Sequence, residues 1–140
     1  MFEALRKDDL LFIDSSHVVK AGGDVNFLIL EVLPRLREGV VVHFHDIYFP
    51  YDYPRDLLKT FFPSTESSLL HAFLAFNHRF RIIFCMSLLH YKCPKVLTEV
   101  FPEYIPQGGQ DGLVEERVAA FTTPPGHFPS SIYLRVGVSE

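Results

Sequence analysis

Two short apolar runs, separated by a stretch of helical periodicity, constrain this chain more than any other feature. Leu10-Leu11-Phe12-Ile13 runs into Asp14-Ser15-Ser16-His17, and Val40-Val41-Val42-His43-Phe44 runs into His45-Asp46. Apolar runs this short, bounded by polar clusters, suit strands buried on both faces as in a parallel sheet. Between them Gly22-Gly23 supplies a turn and Asp24 suits a helix N-cap. Val25, Leu28, Ile29, Val32, Leu33 and Leu36 then recur at helical spacing until Gly39 stops the run. Pro34 lacks an amide donor and should end or kink the regular helix near Leu33. Strand, helix and strand over this length predict a right-handed βαβ unit with parallel strands.

The remaining elements follow the same α/β alternation. Tyr48-Phe49-Pro50-Tyr51-Asp52-Tyr53-Pro54 carries two prolines and reads as an aromatic loop beside the second strand's tip. Ser64 is expected to cap a helix with Glu66 in its first turn, Leu69, Leu70, Phe73, Leu74 and Phe76 on its apolar face and Asn77 at its end. Residues 79–86 read as a third strand, 94–104 as a short helix and 131–138 as a last strand. Residues 106–129 form a long surface loop with one modest helical stretch around 114–121.

At 140 residues and 48% hydrophobic content, the chain supports one domain with a core, so 1–140 reads as a single unit. A formal net charge of −4 leaves no basic footprint, which argues against nucleic acid or an anionic membrane surface as main partner. No apolar run approaches the roughly 20 residues that span a bilayer. With only Cys85 and Cys93, no disulfide scaffold is expected, and a cytoplasmic chain with reduced thiols is the expectation.

Chemistry is expected at the strand tips, because loops at the carboxyl ends of parallel strands aim side chains at a ligand while the sheet holds them rigid. That singles out Asp14, His17, His45 and Asp46. Other readings stand beside it: Asp14-Ser15-Ser16 also suits Asx and Ser turns that end a strand. His43 suits a hydrogen-bonded core histidine, and Tyr48, Tyr51 and Tyr53 either wall a pocket or pack the proline loop onto the sheet.

The segments Leu11–Val18, Gly23-Asp24-Val25-Asn26, Leu33-Pro34-Arg35-Leu36 with Gly39-Val40, and His43–Ile47 with Tyr53-Pro54 occur in the order seen in one family. So do Leu69–Leu74 and Ser130–Leu134. Together the chain resembles S-adenosylmethionine-dependent class I methyltransferases of the Methyltransferase 24 type, departing at Pro63-Ser64-Thr65, where Trp-Asn is usual. The resemblance implies the C-terminal half of a Rossmann-like sheet, strands 4-5-7-6 with an antiparallel last strand and flanking helices. The donor-binding strands, with their glycine-rich turn, are then missing. A methyltransferase inactive as the isolated chain is expected, with S-adenosylmethionine as cofactor and a small molecule or sugar as the oxygen acceptor. A second copy of this chain, or an upstream segment, is expected to cover the open sheet edge.

In that reading Asp14 stands on the cofactor side, and Asp14 and Asp46, on strands about 4.8 Å apart, converge on Mg or another divalent cation. His17 stands where metal-dependent relatives carry a basic lysine. An imidazole takes up a proton near neutral pH, so His17, with His45, is expected to act catalytically. Two alternatives belong to other classes: a non-catalytic partner-binding remnant, and an oxygenase with His17, His45 and Asp46 holding iron.

Overall fold

The computed structural model describes residues 2–53, 64–107 and 126–137. The helical stretch expected around 114–121, and most of the loop 106–129, lie outside the described residues. A short 3₁₀ turn, Phe2–Ala4, leads into strand β1, Leu10–Ile13. A helical segment over 24–35, α1, connects it to β2, Val41–His45. Helix α2, Glu66–Leu74, precedes β3, Phe80–Cys85. Helices α3, Met86–Lys92, and α4, Pro94–Val100, follow, and β4, Ser131–Val136, completes the sheet.

The result is a mixed α/β fold with a four-stranded sheet in the order β1-β2-β4-β3. β1 and β2 pair in parallel, with Phe12 opposite His43 and Ile13 opposite Phe44. β4 runs antiparallel to both its neighbours. The parallel pairing puts the ends of β1 and β2 on one rim, which is the property the site depends on.

Burial is one-sided. Val42, Phe44, Ile132, Leu134 and Val136 alternate along their strands and join Val25, Ile29, Val32 and Leu33 of α1 and Leu70 of α2 in one core. The opposite face carries a row of rings, Phe12, His43, Tyr133 and Phe84, with centroids 4.9, 4.1 and 4.3 Å apart from one to the next. Phe12 remains 53% exposed, so burial on both faces, expected from the apolar runs, is not realised among the described residues. Both helices that pack on the sheet in this core lie on the same face.

Local details depart from the sequence in explicable ways. Helix α1 is not uniform: Asp24–Asn26 is α, Phe27–Val32 is π and Leu33–Arg35 is 3₁₀. Pro34 offers no N–H, and the winding changes around it. The Arg79 guanidinium reaches back from the start of β3 and donates to the carbonyls of Pro34 and Leu36, satisfying acceptors left free at this helix end. Asp24 is not the cap; Gly23 is, and the Asp24 carboxylate instead takes the Ser16 N–H at 2.7 Å and the Ser16 hydroxyl at 2.5 Å. Thr65 rather than Ser64 precedes α2, which ends at Leu74 with Ala75 as its C-cap, short of the expected Asn77. Helix α3 occupies a stretch in which no helix was expected. Cys85 is buried in the core and Cys93 is exposed; both are free thiols.

Candidate functional site

The chain leaves β1 through Asp14-Ser15-Ser16-His17 and leaves β2 at His45-Asp46, so both polar clusters emerge side by side. His17 and Asp46 adopt left-handed backbone angles, φ 57° and 53°. Asp and His visit this region more readily than most side chains, and their neighbours hold them there. For His17 the enforcement is visible. Its carbonyl accepts the N–H groups of Thr65 and Glu66 at 2.8 and 3.2 Å, and its own N–H donates to the Ser15 hydroxyl at 2.9 Å.

The His17 imidazole is the centre of the constellation. Nε2 lies 3.6 Å from Oδ1 of Asp14 and 3.8 Å from Oδ2 of Asp46. Nδ1 lies 2.8 Å from Oε2 of Glu66. His45 joins from β2, its Nδ1 3.4 Å from Asp46 and 3.8 Å from Asp14, sheltered from solvent but with no hydrogen bond. All four residues expected at the rim are therefore together.

Two further side chains, Ser130 and Glu66, join the site from distant segments. Ser130, just before β4, donates its hydroxyl to Oδ1 of Asp46 at 2.7 Å. Glu66 is fully buried and accepts the Ser15 hydroxyl at 2.9 Å on the same oxygen that faces His17. Its sequence signal, an acid in a helix first turn, points to the helix dipole and not to a site 49 residues away. Burial pushes the Glu66 carboxyl up, while the bonds from His17 and Ser15 work in the opposite sense.

A cavity of about 150 Å³ opens beside this cluster, lined by Ser16, His17, Val18, Asp46, Tyr48 and Tyr53. That is roughly five water volumes, room for one hydroxyl-bearing group. Tyr48 and Tyr53 meet edge to face at 5.6 Å, and the Tyr53 hydroxyl accepts the Ser67 N–H at 3.1 Å. Burial, and then the Asp46 carboxylate, push the Tyr48 phenol up to about 12, so it stays protonated. The aromatic loop divides its roles: Tyr48 and Tyr53 wall the cavity, whereas Tyr51 packs on Tyr91 at 4.8 Å. A larger cavity of about 410 Å³, between the loop at Phe49–Asp52, α2 and β3, includes none of the rim residues. His43 is a framework residue, stacked on Tyr133 and 2.9 Å from the Ser131 hydroxyl.

The divalent cation expected between Asp14 and Asp46 finds no support. An imidazole nitrogen stands within 4 Å of both carboxylates, and among the described residues no group of three or more His, Cys, Asp or Glu side chains is placed to hold a metal ion. The same finding leaves the iron triad of His17, His45 and Asp46 without support. Among the described residues no helix is long and apolar enough to cross a membrane.

No curated protein and no solved structure matches the chain. A family model described as a methyltransferase domain matches residues 2–47, the stretch that holds β1, α1, β2 and all of Asp14, His17, His45 and Asp46, and this match supports a methyltransferase domain.

Proposed function

We propose that the chain is the catalytic half of an S-adenosylmethionine-dependent methyltransferase acting on an oxygen of a small molecule or sugar. The observation that carries this reading is the convergence of both strand tips on His17 within the stretch matched by the methyltransferase model. In it, β1-β2-β4-β3 correspond to strands 4-5-7-6 of a class I sheet, whose strand 7 is antiparallel. The strands that bind the donor nucleoside belong to a segment other than these 140 residues, with Asp14 at the junction facing the cofactor.

Methyl transfer is an in-line displacement at a sulfonium carbon, so the acceptor oxygen must be aligned and must lose its proton as it attacks. The donor supplies the electrophilic methyl group. The acceptor hydroxyl occupies the cavity walled by Tyr48 and Tyr53 and gives its proton to Nε2 of His17 as the oxygen–carbon bond forms and the carbon–sulfur bond breaks. Asp14 and Asp46 stabilise the imidazolium that results. Tyr48, held protonated, orients the acceptor as a hydrogen-bond donor. Ser130 keeps the Asp46 carboxylate turned toward His17.

Among the described residues β1 is an outer strand of the sheet, and it exposes Leu10 and Phe12, 54% and 53% accessible. An apolar edge with unpaired backbone groups needs a cover. The donor-binding segment, or a second copy of this chain, fills that role.

Calorimetric titration tests the reading. The isolated chain is expected to show no micromolar binding of S-adenosylmethionine, whereas the protein purified with its native companions should bind it and pass a labelled methyl group to hydroxylated acceptors. Micromolar binding by the isolated chain would contradict the division into halves; absence of transfer by the assembly would contradict the activity.

A further inference from the structure

We propose that Glu66 is a positioning residue which, together with Ser15, fixes His17 in the tautomer with its proton on Nδ1 and its lone pair on Nε2. Four atoms close a hydrogen-bonded ring: His17 N–H donates to Ser15 Oγ at 2.9 Å, Ser15 Oγ donates to Glu66 Oε2 at 2.9 Å, and the same oxygen lies 2.8 Å from His17 Nδ1. Ser15 Oγ spends its proton on Glu66, so Oε2 acts as an acceptor in the ring. Of the carboxylate oxygens facing the ring among the described residues, only Glu66 Oε2, 2.8 Å from Nδ1, stands within hydrogen-bond distance, Asp14 and Asp46 lying 3.6 and 3.8 Å from Nε2, so the neutral imidazole carries its proton on Nδ1. Nε2 is then the free base, directed at the gap between Asp14 and Asp46.

Glu66 is well suited to hold this geometry. It is fully buried at the first turn of α2, and the backbone N–H groups of Thr65 and Glu66 bind the His17 carbonyl. The Thr65 hydroxyl accepts the N–H of Val19 at 2.8 Å, a further tie between this helix end and the loop after β1. The other carboxylate oxygen of Glu66, Oε1, is buried with no hydrogen-bond partner, so among the described residues the side chain bonds only to His17 and Ser15. A carboxylate retained in so dry a position is costly unless it is paired, and here its partners are the base and the serine that aligns it. No part of the acceptor cavity is formed by Glu66; it acts through His17.

The catalytic consequence rests on the methyltransferase reading, but the tautomer does not, and it is measured on the chain without donor or acceptor. Nitrogen-15 NMR of histidine-labelled protein, above the pH at which His17 takes a proton, should show a protonated Nδ1 and an unprotonated Nε2 for His17. Glu66→Gln leaves an acceptor oxygen in the ring and should keep that pattern. Glu66→Leu removes it and should shift the two signals toward the Nε2-protonated form. A wild-type His17 protonated at Nε2, or a Glu66→Gln protein that switches tautomer, would overturn the proposal even if Glu66→Leu fails to fold. An assembly without methyl transfer, but with the expected tautomer, would count against the function alone.

Discussion

At the residue scale the site is one imidazole, His17, held 2.8 Å from Glu66 on one side and within 4 Å of Asp14 and Asp46 on the other. Asp14, His17, His45 and Asp46 were legible because each terminates or follows an apolar run, and strand ends aim side chains at a common rim. Glu66 and Ser130 were not, because each reaches the rim from a distant segment, 49 and 84 residues from its partner. Only a buried acid breaking the usual preference for exposure marks Glu66, and burial is a property of the folded molecule. Two expectations belong to single residues. In a spectrophotometric titration Tyr48 should remain protonated until about pH 12, so Tyr48→Phe removes a late-titrating phenol; loss of an early one would contradict the account. His43 and His90 are held below the ordinary imidazole value of 6.5, both by burial and His43 also by the neighbouring His45. The unfolded chain then takes protons more readily than the folded one. Stability from these groups is full above pH 6.5, declines as pH falls below it, and stops declining once the depressed folded values are passed. Thermal unfolding between about pH 7.5 and 5 should show this decline, and His43→Phe with His90→Phe should flatten it.

At the element scale, period and punctuation predicted the βαβ unit and its parallel pairing, since four- and five-residue apolar runs around a helical period admit few other arrangements. The winding of α1 is only partly readable: Pro34 announces a break, but no residue in the sequence marks the π turn before it. Helix α3 is not legible in the sequence because it starts at Met86, directly where β3 ends at Cys85, with no turn residue between them. Two substitutions test the packing. Gly39 has φ +81° and a Cβ there would meet the Lys7 side chain at 2.5 Å and its Cα at 3.1 Å. Gly39→Ala should therefore cost about 1–2 kcal/mol in urea unfolding, and an unchanged midpoint would contradict the fold at this turn. Leu70 is the fully buried anchor of α2, so Leu70→Ala should cost about 2–5 kcal/mol. It should also loosen the helix that presents Glu66.

At the scale of the whole molecule, a sheet that the described helices cover on one face brings two strand tips, one helix start and one loop end to a single rim. The apolar runs suggested burial on both faces because a sequence does not say which segments are at hand to cover them. On the face away from the core, Phe12 and Phe84 stay exposed at the two ends of the ring row, with His43 and Tyr133 half-buried between them. If β1 is an interface, dynamic light scattering should show association that rises with concentration and falls on Phe12→Lys. The central claim is that His17 takes the acceptor's proton. Its most direct test is the rate of methyl transfer, across pH, by the native assembly carrying wild-type His17, His17→Ala or His17→Lys. The account predicts a loss of about 100- to 10,000-fold for alanine, and partial recovery by lysine with the optimum moved to higher pH. Transfer by the alanine variant at the wild-type rate would contradict it.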